Sequence, residues 1–393
     1  MFEAFPGNYW WSAMVMNSLA MGGEMSEIAP VLVALRAAAE RAPGPAERAE
    51  WSAAWHRLGQ AVRRLADRDN AAALPASARR KYLRAANYMF IAEVVEPAHD
   101  QDARKLGVYA DAQRAFRLGI ALEQSPVELV EVPFENSSLP ALFVPAAAGS
   151  GKAPCMIHFD GKDDVKEVTY LRHRQGLAER GISLLIVDHP GSGEAVRNRG
   201  LHARPDIEVA ATACVDYLRT RADVDIERLG IIAQSFGGYY APRAAAFEKR
   251  LKLCIVWGAL WDAAAVVAET GTPVSPEAWL MLGQLDNEQA VQQRLADFSL
   301  ESVINELESA LIVLHGASDR QVPLWAAERT VARAVNAASA DLRIFSADEH
   351  GDQHCQVDLV SQATDYIADR VAAFFYHERS DHRSLQGPAG STA

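Results

Sequence analysis

The rhythm of apolar and polar positions changes about a third of the way along the chain. Residues 27–41 and 46–67 are rich in Ala, Leu, Glu and Arg, with apolar side chains at helical spacing. Residues 76–95 and 101–123 continue the pattern, with Pro30, Pro43 and Pro45 as punctuation. Little before Gln124 reads as strand. Beyond it, 127–134 and 139–144 are β-rich, and 146–152 is a small-residue turn. Short apolar runs then follow at 155–159, 183–187, 229–233, 253–257, 311–314 and 342–345. Helical stretches at 166–180, 206–221, 237–249, 324–338 and 356–376 separate and close them. Continuous apolar strands alternating with helices predict a mostly parallel sheet covered on both faces. Residues 261–305 interrupt the alternation with helical and loop-like sequence and are expected to lie over one end of the sheet as a cap. The predicted organisation is a helical N-terminal domain over 1–124, a sheet domain over 125–377, and a polar tail over 378–393 that is expected to be disordered.

With 393 residues, 49% of them apolar, the chain can bury a large core and exceeds one typical domain. A net charge of −12 argues against a phosphate-backbone-binding surface and against docking on anionic lipid, so neither nucleic acid nor membrane is an expected partner. Four widely spaced cysteines, Cys155, Cys214, Cys254 and Cys355, form no C-x-x-C pair and are read as small, mostly buried hydrophobes. The N-terminus lacks a basic segment, and Pro6, Gly7 and Asn8 break its apolar stretch, so it makes a poor signal peptide. No run of about 18 apolar residues occurs. A cytoplasmic location is expected.

The sharpest chemical signal is Leu229-Gly230-Ile231-Ile232-Ala233-Gln234-Ser235-Phe236-Gly237-Gly238. A buried strand runs into a serine, then two glycines, then a helix. This is a nucleophile elbow with alanine in place of the usual first glycine. The turn holds its serine in a strained conformation, so the residues two before and two after must be small, and Ala233 and Gly237 are. A serine hydroxyl needs a base to take its proton. In this arrangement the acid and then the histidine follow the serine along the chain. Asp319 stands just beyond the strand 311–314, where functional groups of open α/β sheets gather. The plain alternative is a solvated loop aspartate. His315, at the strand end, is expected to pack locally. Two histidines follow the last strand, His350 and His354, and spacing alone does not separate them. His354 is taken as the base because it directly precedes the final helix, whereas His350 beside Gly351 has the look of a turn residue.

An oxyanion hole requires two backbone N–H groups aimed at the developing charge. Phe236, directly after the serine, should supply one. The loop Asp160-Gly161-Lys162-Asp163-Asp164 should supply the other, with Gly161 allowing close approach and Lys162 giving its amide. The acidic cluster Asp160, Asp163 and Asp164 is read as capping the following helix rather than holding a metal. The glycines of Asp188-His189-Pro190-Gly191-Ser192-Gly193 are read as a structural turn, because no G-K-[ST] follows. Nothing in these motifs asks for a cofactor.

Taken together these residues resemble the α/β-hydrolase family that contains 2,6-dihydroxypseudooxynicotine hydrolase and the fungal hydrolases that shorten polyketide pigment precursors. The resemblance is carried by Phe5-Pro6-Gly7-Asn8-Tyr9, Met21-Gly22-Gly23-Glu24, Lys166-Glu167, the elbow Gln234–Gly238 and His354-Cys355. It implies an α/β-hydrolase fold, a helical N-terminal domain over the active site, and a homodimer. It also implies a triad of Ser235, Asp319 and His354, and chemistry that includes hydrolysis of a carbon–carbon bond beside a ketone in a small-molecule substrate. Glu269 is the match to a cap-region glutamate that helps bind or activate substrate in that family. Cleavage of an ester or amide is the alternative expectation, and a catalytically silent binding protein on the same fold is the third.

Overall fold

The computed structural model of the protein describes residues 1–41, 44–95, 103–124, 127–147, 151–173, 176–271, 276–283, 285 and 287–377; the expected tail at 378–393 lies outside them. Five helices come first: α1 (Tyr9–Ala20), α2 (Met25–Ala39), α3 (Pro45–Ala71), α4 (Pro75–Val94) and α5 (Ala103–Ile120). Four of these, α2 to α5, match the predicted stretches to within a few residues, and Pro45 and Pro75 stand at helix starts, where the missing N–H costs nothing. Pro30 lies inside α2, in its first turns, rather than breaking it. Helix α1 had no counterpart in the predicted elements. Its sequence, YWWSAMVMNSLA, is apolar on nearly every side, so no helical stripe stands out.

An eight-stranded sheet follows: β1 (Glu128–Phe134), β2 (Ser137–Val144), β3 (Ala153–Phe159), β4 (Ser183–Val187), β5 (Val224–Gln234), β6 (Leu251–Trp257), β7 (Ala310–Gly316) and β8 (Ser339–Phe345). The order across the sheet is β1-β2-β4-β3-β5-β6-β7-β8. Only the β1–β2 and β2–β4 pairings are antiparallel; every pairing from β4 to β8 is parallel. This is the α/β-hydrolase fold, a mostly parallel sheet flanked by helices. The connecting helices are α6 (Lys166–His173), α7 (Gly176–Glu179), α8 (Gly193–Arg199), α9 (Glu208–Arg219), α10 (Gly237–Phe247), α11 (Ala263–Thr270), α12 (Pro276–Leu282), α13 (Glu288–Leu295), α14 (Leu324–Arg333) and α15 (Val360–Ala372). Helices α11 to α13 occupy the insertion between β6 and β7.

Successive strand residues face opposite sides of the sheet, and the two sides build different cores. Cys155, Ile157, Phe159, Ile231, Ala233, Cys254, Val256, Leu311 and Val313 pack with α9 and α10. Met156, Ile232, Leu253, Ile255, Trp257, Ile312 and Leu314 pack in one continuous cluster with Trp11, Val15, Trp51, Trp55, Tyr88, Met89 and Phe116 of the first helices. The N-terminal helices therefore complete one face of the sheet. Buried charges reinforce the junction. Glu93 of α4 pairs with Arg197 of α8 and with Lys105 of α5, and Lys166 of α6 contacts Asp188, Glu167 and Glu194.

Candidate active site

Strand β5 ends at Gln234 and α10 begins at Gly237, so Ser235 sits on the tight connection between them. Its φ of +55° is left-handed, which a non-glycine residue adopts only under constraint. A hydrogen bond from its N–H to the Trp257 carbonyl, 2.8 Å, holds the turn. The demand for small neighbours is visible in atoms. A Cβ on Gly237 would stand 2.8 Å from the Ala233 Cβ and 3.1 Å from the Asp160 carbonyl, and one on Gly238 would stand 2.3 Å from the Gly258 carbonyl.

Three side chains from three different loops converge here. His354 Nε2 lies 2.8 Å from Ser235 Oγ, and His354 Nδ1 lies 2.7 Å from Asp319 Oδ2. The backbone N–H groups of Gln321 and Val322 donate to Asp319 Oδ1 at 2.8 and 2.9 Å, which aims Oδ2 at the histidine. With Nδ1–H donating to the carboxylate, the neutral imidazole leaves Nε2 free to accept the serine proton. His354 opens a short 3₁₀ turn, His354–Gln356, in which Cys355 and Gln356 have φ of +46° and +49°. That turn is tied to β6: Trp257 Nε1 donates to Gln356 Oε1 at 2.6 Å and Cys355 Sγ donates to the Trp257 carbonyl at 3.4 Å. His350, the other candidate, is exposed in the preceding turn with φ of +61°. His315 Nε2 donates to the Val322 carbonyl at 2.9 Å and its Nδ1 accepts from the Ala259 N–H at 3.3 Å, a local packing role.

The electrostatics follow from this arrangement. Burial disfavours the His354 imidazolium, but the Asp319 carboxylate outweighs it, with Cys355 adding, and holds His354 well above the usual histidine range. Burial likewise opposes ionisation of Asp319, yet His354, then His315 and the Val322 N–H, keep it below the usual carboxylate range.

The loop after β3 lies against the elbow. A Cβ on Gly161 would come within 2.8 Å of the Ser235 Cβ and 3.3 Å of its Oγ, so the backbone passes as close to the serine as glycine allows. Lys162 and Phe236 line a cavity together with Ser235 and His354. Asp160 and Asp164 of this loop do not cap α6 as expected. The Lys166 N–H instead donates to Asp188 Oδ1 at 2.9 Å, because the 188–193 turn folds that carboxylate back toward the helix start. A Cβ on Gly193 would strike the Asp188 carboxylate at 2.0 Å, which explains the glycine. Asp160 is buried against Thr169, and burial, with Asp164 and Asp188 nearby, pushes its carboxyl well above the ordinary range. Asp164 pairs with Arg172 instead, at 2.6 and 3.2 Å.

Two chambers flank the serine. One, about 710 Å³ of space partly open to solvent, is apolar and walled by the insertion: Leu260, Val266, Val267, Ala278, Met281 and Leu295. The other, about 540 Å³, is walled by Trp10, Met14 and Asn17 of α1 and by Asp163, Asp164, Arg172, Gln234, Trp257 and Cys355. Helix α1, absent from the predicted elements, thus supplies part of the site. Trp10 lines the chamber, while Trp11 is packed into the core against Phe5 and Trp51. Trp261 is buried with Arg329 over its ring. Glu269 is not brought to the serine. It is exposed on the outer side of α11, lines neither chamber, and accepts a 2.7 Å hydrogen bond from Trp325 Nε1. The helix turns Val266, Val267 and Thr270 inward and so turns Glu269 out.

Comparison with known proteins places the family and the fold. The model of the prolyl oligopeptidase family matches residues 169–374, just over half of the chain and a span that includes Ser235, Asp319 and His354. Hydrolase pyiE of Pyricularia grisea is 29% identical over 252 residues, 59% of this chain and 54% of that protein, so the match spans about half of that relative. Hydrolyase ccsE of Aspergillus clavatus is 28% identical over 381 residues, 87% of this chain and 84% of the relative. Among solved structures, 2,6-dihydroxy-pseudo-oxynicotine hydrolase superposes with a TM-score of 0.76 at 22% identity, over 93% of this chain and 96% of that one. That likeness extends to the helical first third, which the family model does not reach.

Proposed function

This chain belongs to the prolyl oligopeptidase family of α/β-hydrolases, and on that premise we propose that it hydrolyses a carbon–carbon bond beside a ketone, with Ser235 as nucleophile, His354 as general base and acid, and Asp319 as the residue that orients and charges His354. The observation that carries the reading is the relay from Ser235 Oγ through His354 to Asp319, 2.8 and 2.7 Å, opening between two chambers. In a β-diketone, Ser235 Oγ attacks one carbonyl carbon as its proton passes to His354 Nε2. The resulting oxyanion is held by the backbone N–H groups of Phe236 and Lys162, with Gly161 permitting the approach. Collapse breaks the carbon–carbon bond. The electron pair leaves as an enolate on the second carbonyl, and His354 returns the proton to carbon. Water, deprotonated by His354, then cleaves the acyl-enzyme to a carboxylic acid. The second carbonyl is the electron sink, so no further acid is required, and the outward placement of Glu269 does not obstruct the scheme.

The enzyme is proposed to work on a small molecule, in the cytoplasm and as a homodimer. Among the described residues no helix is long and apolar enough to cross a membrane. A second reading, hydrolysis of an ester or amide, is favoured by one observation: the family whose model matches residues 169–374 is named for a peptidase, an amide-cleaving enzyme. Steady-state kinetics separate the two. The wild type is expected to convert 1-phenylbutane-1,3-dione to a carboxylic acid and a ketone with a higher kcat/KM than for nitrophenyl acetate, which fills neither chamber. Ser235→Ala should lower turnover by about 10⁴–10⁶ while circular dichroism is unchanged. Near-wild-type turnover in that folded variant would overturn the serine mechanism, and preference for the ester would transfer the assignment to the second reading.

A further inference from the structure

Two consecutive residues after the base are left-handed. Cys355 has a φ of +46° and Gln356 of +49°, and neither is a glycine. Such a conformation costs free energy and persists only where the surroundings dictate it. Here the end of β6 dictates it. The Trp257 indole N–H donates to Gln356 Oε1 at 2.6 Å, and both side chains are buried. An indole nitrogen only donates, so the Gln356 amide turns its oxygen toward it. The Trp257 carbonyl accepts twice, from Cys355 Sγ at 3.4 Å and from the Ser235 N–H at 2.8 Å. The next residue, Gly258, lies against both turns. A Cβ on it would stand 2.8 Å from Cys355 Sγ, 3.5 Å from His354 Cε1 and 3.6 Å from the Ser235 backbone nitrogen. The turn that carries the nucleophile and the turn that carries the base therefore rest on the same two residues, although Ser235 and His354 are 119 residues apart.

We infer that Gln356 is a positioning residue for the base: its hydrogen bond with the Trp257 indole holds the left-handed turn that sets His354 Nε2 at Ser235 Oγ. The inference rests on the reading of Ser235 as nucleophile and His354 as base, and adds what fixes their register. Asp319 aims the imidazole through Nδ1; Gln356 fixes the backbone from which the ring projects. Without that bond the two left-handed residues relax toward ordinary φ, and His354 at the head of the turn moves with them. A displacement of about 1 Å at a reacting group costs on the order of 10²-fold in rate. Gln356 lines neither chamber, so its loss falls on rate and not on substrate binding. Its Nε2 makes no hydrogen bond, so the oxygen is the part of the amide that acts.

Diisopropyl fluorophosphate tests this, because it reacts with a serine activated by its base and is small enough to make little use of either chamber. In Gln356→Leu the second-order rate of Ser235 phosphorylation should fall about 10–10²-fold. Where the wild type turns over a substrate, kcat should fall by the same factor with KM within about twofold. Gln356→Glu keeps an acceptor and should restore the rate to within about threefold of wild type. Trp257→Phe removes the donor from the other side and should slow phosphorylation as Gln356→Leu does. Combining the two should add little, as expected of partners in one bond. Wild-type rates in Gln356→Leu would overturn the inference. So would a loss that Gln356→Glu does not restore, or losses that multiply in the double variant. If Gln356→Leu does not fold, Trp257→Phe and Gln356→Glu decide: slowing in the first alone supports the inference, and any other pattern overturns it. A wild type that is not labelled at Ser235 would overturn the serine reading and this inference together. Absence of diketone cleavage touches the carbon–carbon reading alone and leaves the phosphorylation rates to decide.

Discussion

Arg197 of α8 closes a two-pronged ion pair with Glu93 of α4, Nε to Oε1 at 2.8 Å and Nη2 to Oε2 at 3.1 Å, with both side chains almost wholly buried. The pair joins the N-terminal helices to the sheet domain's own helices across 104 residues of sequence. Helix α4 in turn holds α1 in place: Asn87 Nδ2 donates to the Ser18 carbonyl at 2.8 Å, and the Glu24 N–H just beyond α1 donates to Tyr88 Oη at 2.8 Å.

Breaking that pair should loosen the whole assembly. Glu93→Ala leaves Arg197 buried without the carboxylate it pairs with, a loss of about 3–5 kcal/mol. Urea unfolding should show it, and activity should fall as α1 loosens over the polar chamber. Burial opposes ionisation of Glu93, but Arg197 and Lys105 outweigh it and hold its carboxyl below the ordinary range. Its contribution is therefore present above the usual carboxylate pKa and is lost as pH falls through the lowered one. A stability change below about 1 kcal/mol in Glu93→Ala would mean the pair is dispensable.

The two histidines after β8 should behave differently. His354→Ala removes the only imidazole placed on Ser235 among the described residues and should cost on the order of 10⁴ or more in kcat. His350→Ala changes an exposed turn and should leave kcat/KM within about threefold. Kinetics of the two purified variants decide it; equal losses would mean that the resting geometry is not the working one.

The pH profile should report the Asp319–His354 pair. His354 must be neutral to accept the serine proton, and its pKa is raised, so kcat/KM should climb with pH along a limb placed above the ordinary histidine value of about 6.5. Asp319→Asn removes the charge that raises it, so the limb should move to lower pH while the plateau falls by about 10⁴. The raised pKa also stabilises the fold at pH values below the unfolded histidine pKa, and that contribution disappears as pH rises through the folded one. An unshifted limb in Asp319→Asn would show that another group titrates.

Gly161→Ala is the sharpest test of the loop after β3. Its new methyl would meet the Ser235 Cβ at 2.8 Å and the Gln234 carbonyl at 3.2 Å, so the loop must withdraw. If the Lys162 amide serves the oxyanion, kcat should drop on the order of 10² while the melting temperature changes little. An unchanged kcat would remove this loop from the chemistry.

Much of this protein is legible in its sequence because the signals are local. The parallel strands are short apolar runs, since both faces of the sheet are covered. The elbow is marked by Ala233, Ser235 and Gly237, since a left-handed serine between strand and helix tolerates only small neighbours. Strand ends and chain order point to Asp319 and narrow the base to His350 or His354, and the fold brings His354 to Ser235. Other features depend on contacts between distant segments, and no local pattern encodes them. Helix α1 is apolar all round because it packs against α4 and α15 within the core that covers one face of the sheet, which erases the periodicity that would have announced it. Only the fold turns Glu269 outward to Trp325 and assigns Asp188, rather than the loop acids, to the start of α6. Only the fold brings Gln234, Arg172 and Asn17 to one wall beside the serine, from three elements far apart in sequence. Chain order and composition determine which groups can react; the packing of the first helix onto the sheet decides what those groups face, because a cavity belongs to the segments that meet around it and to none of them alone.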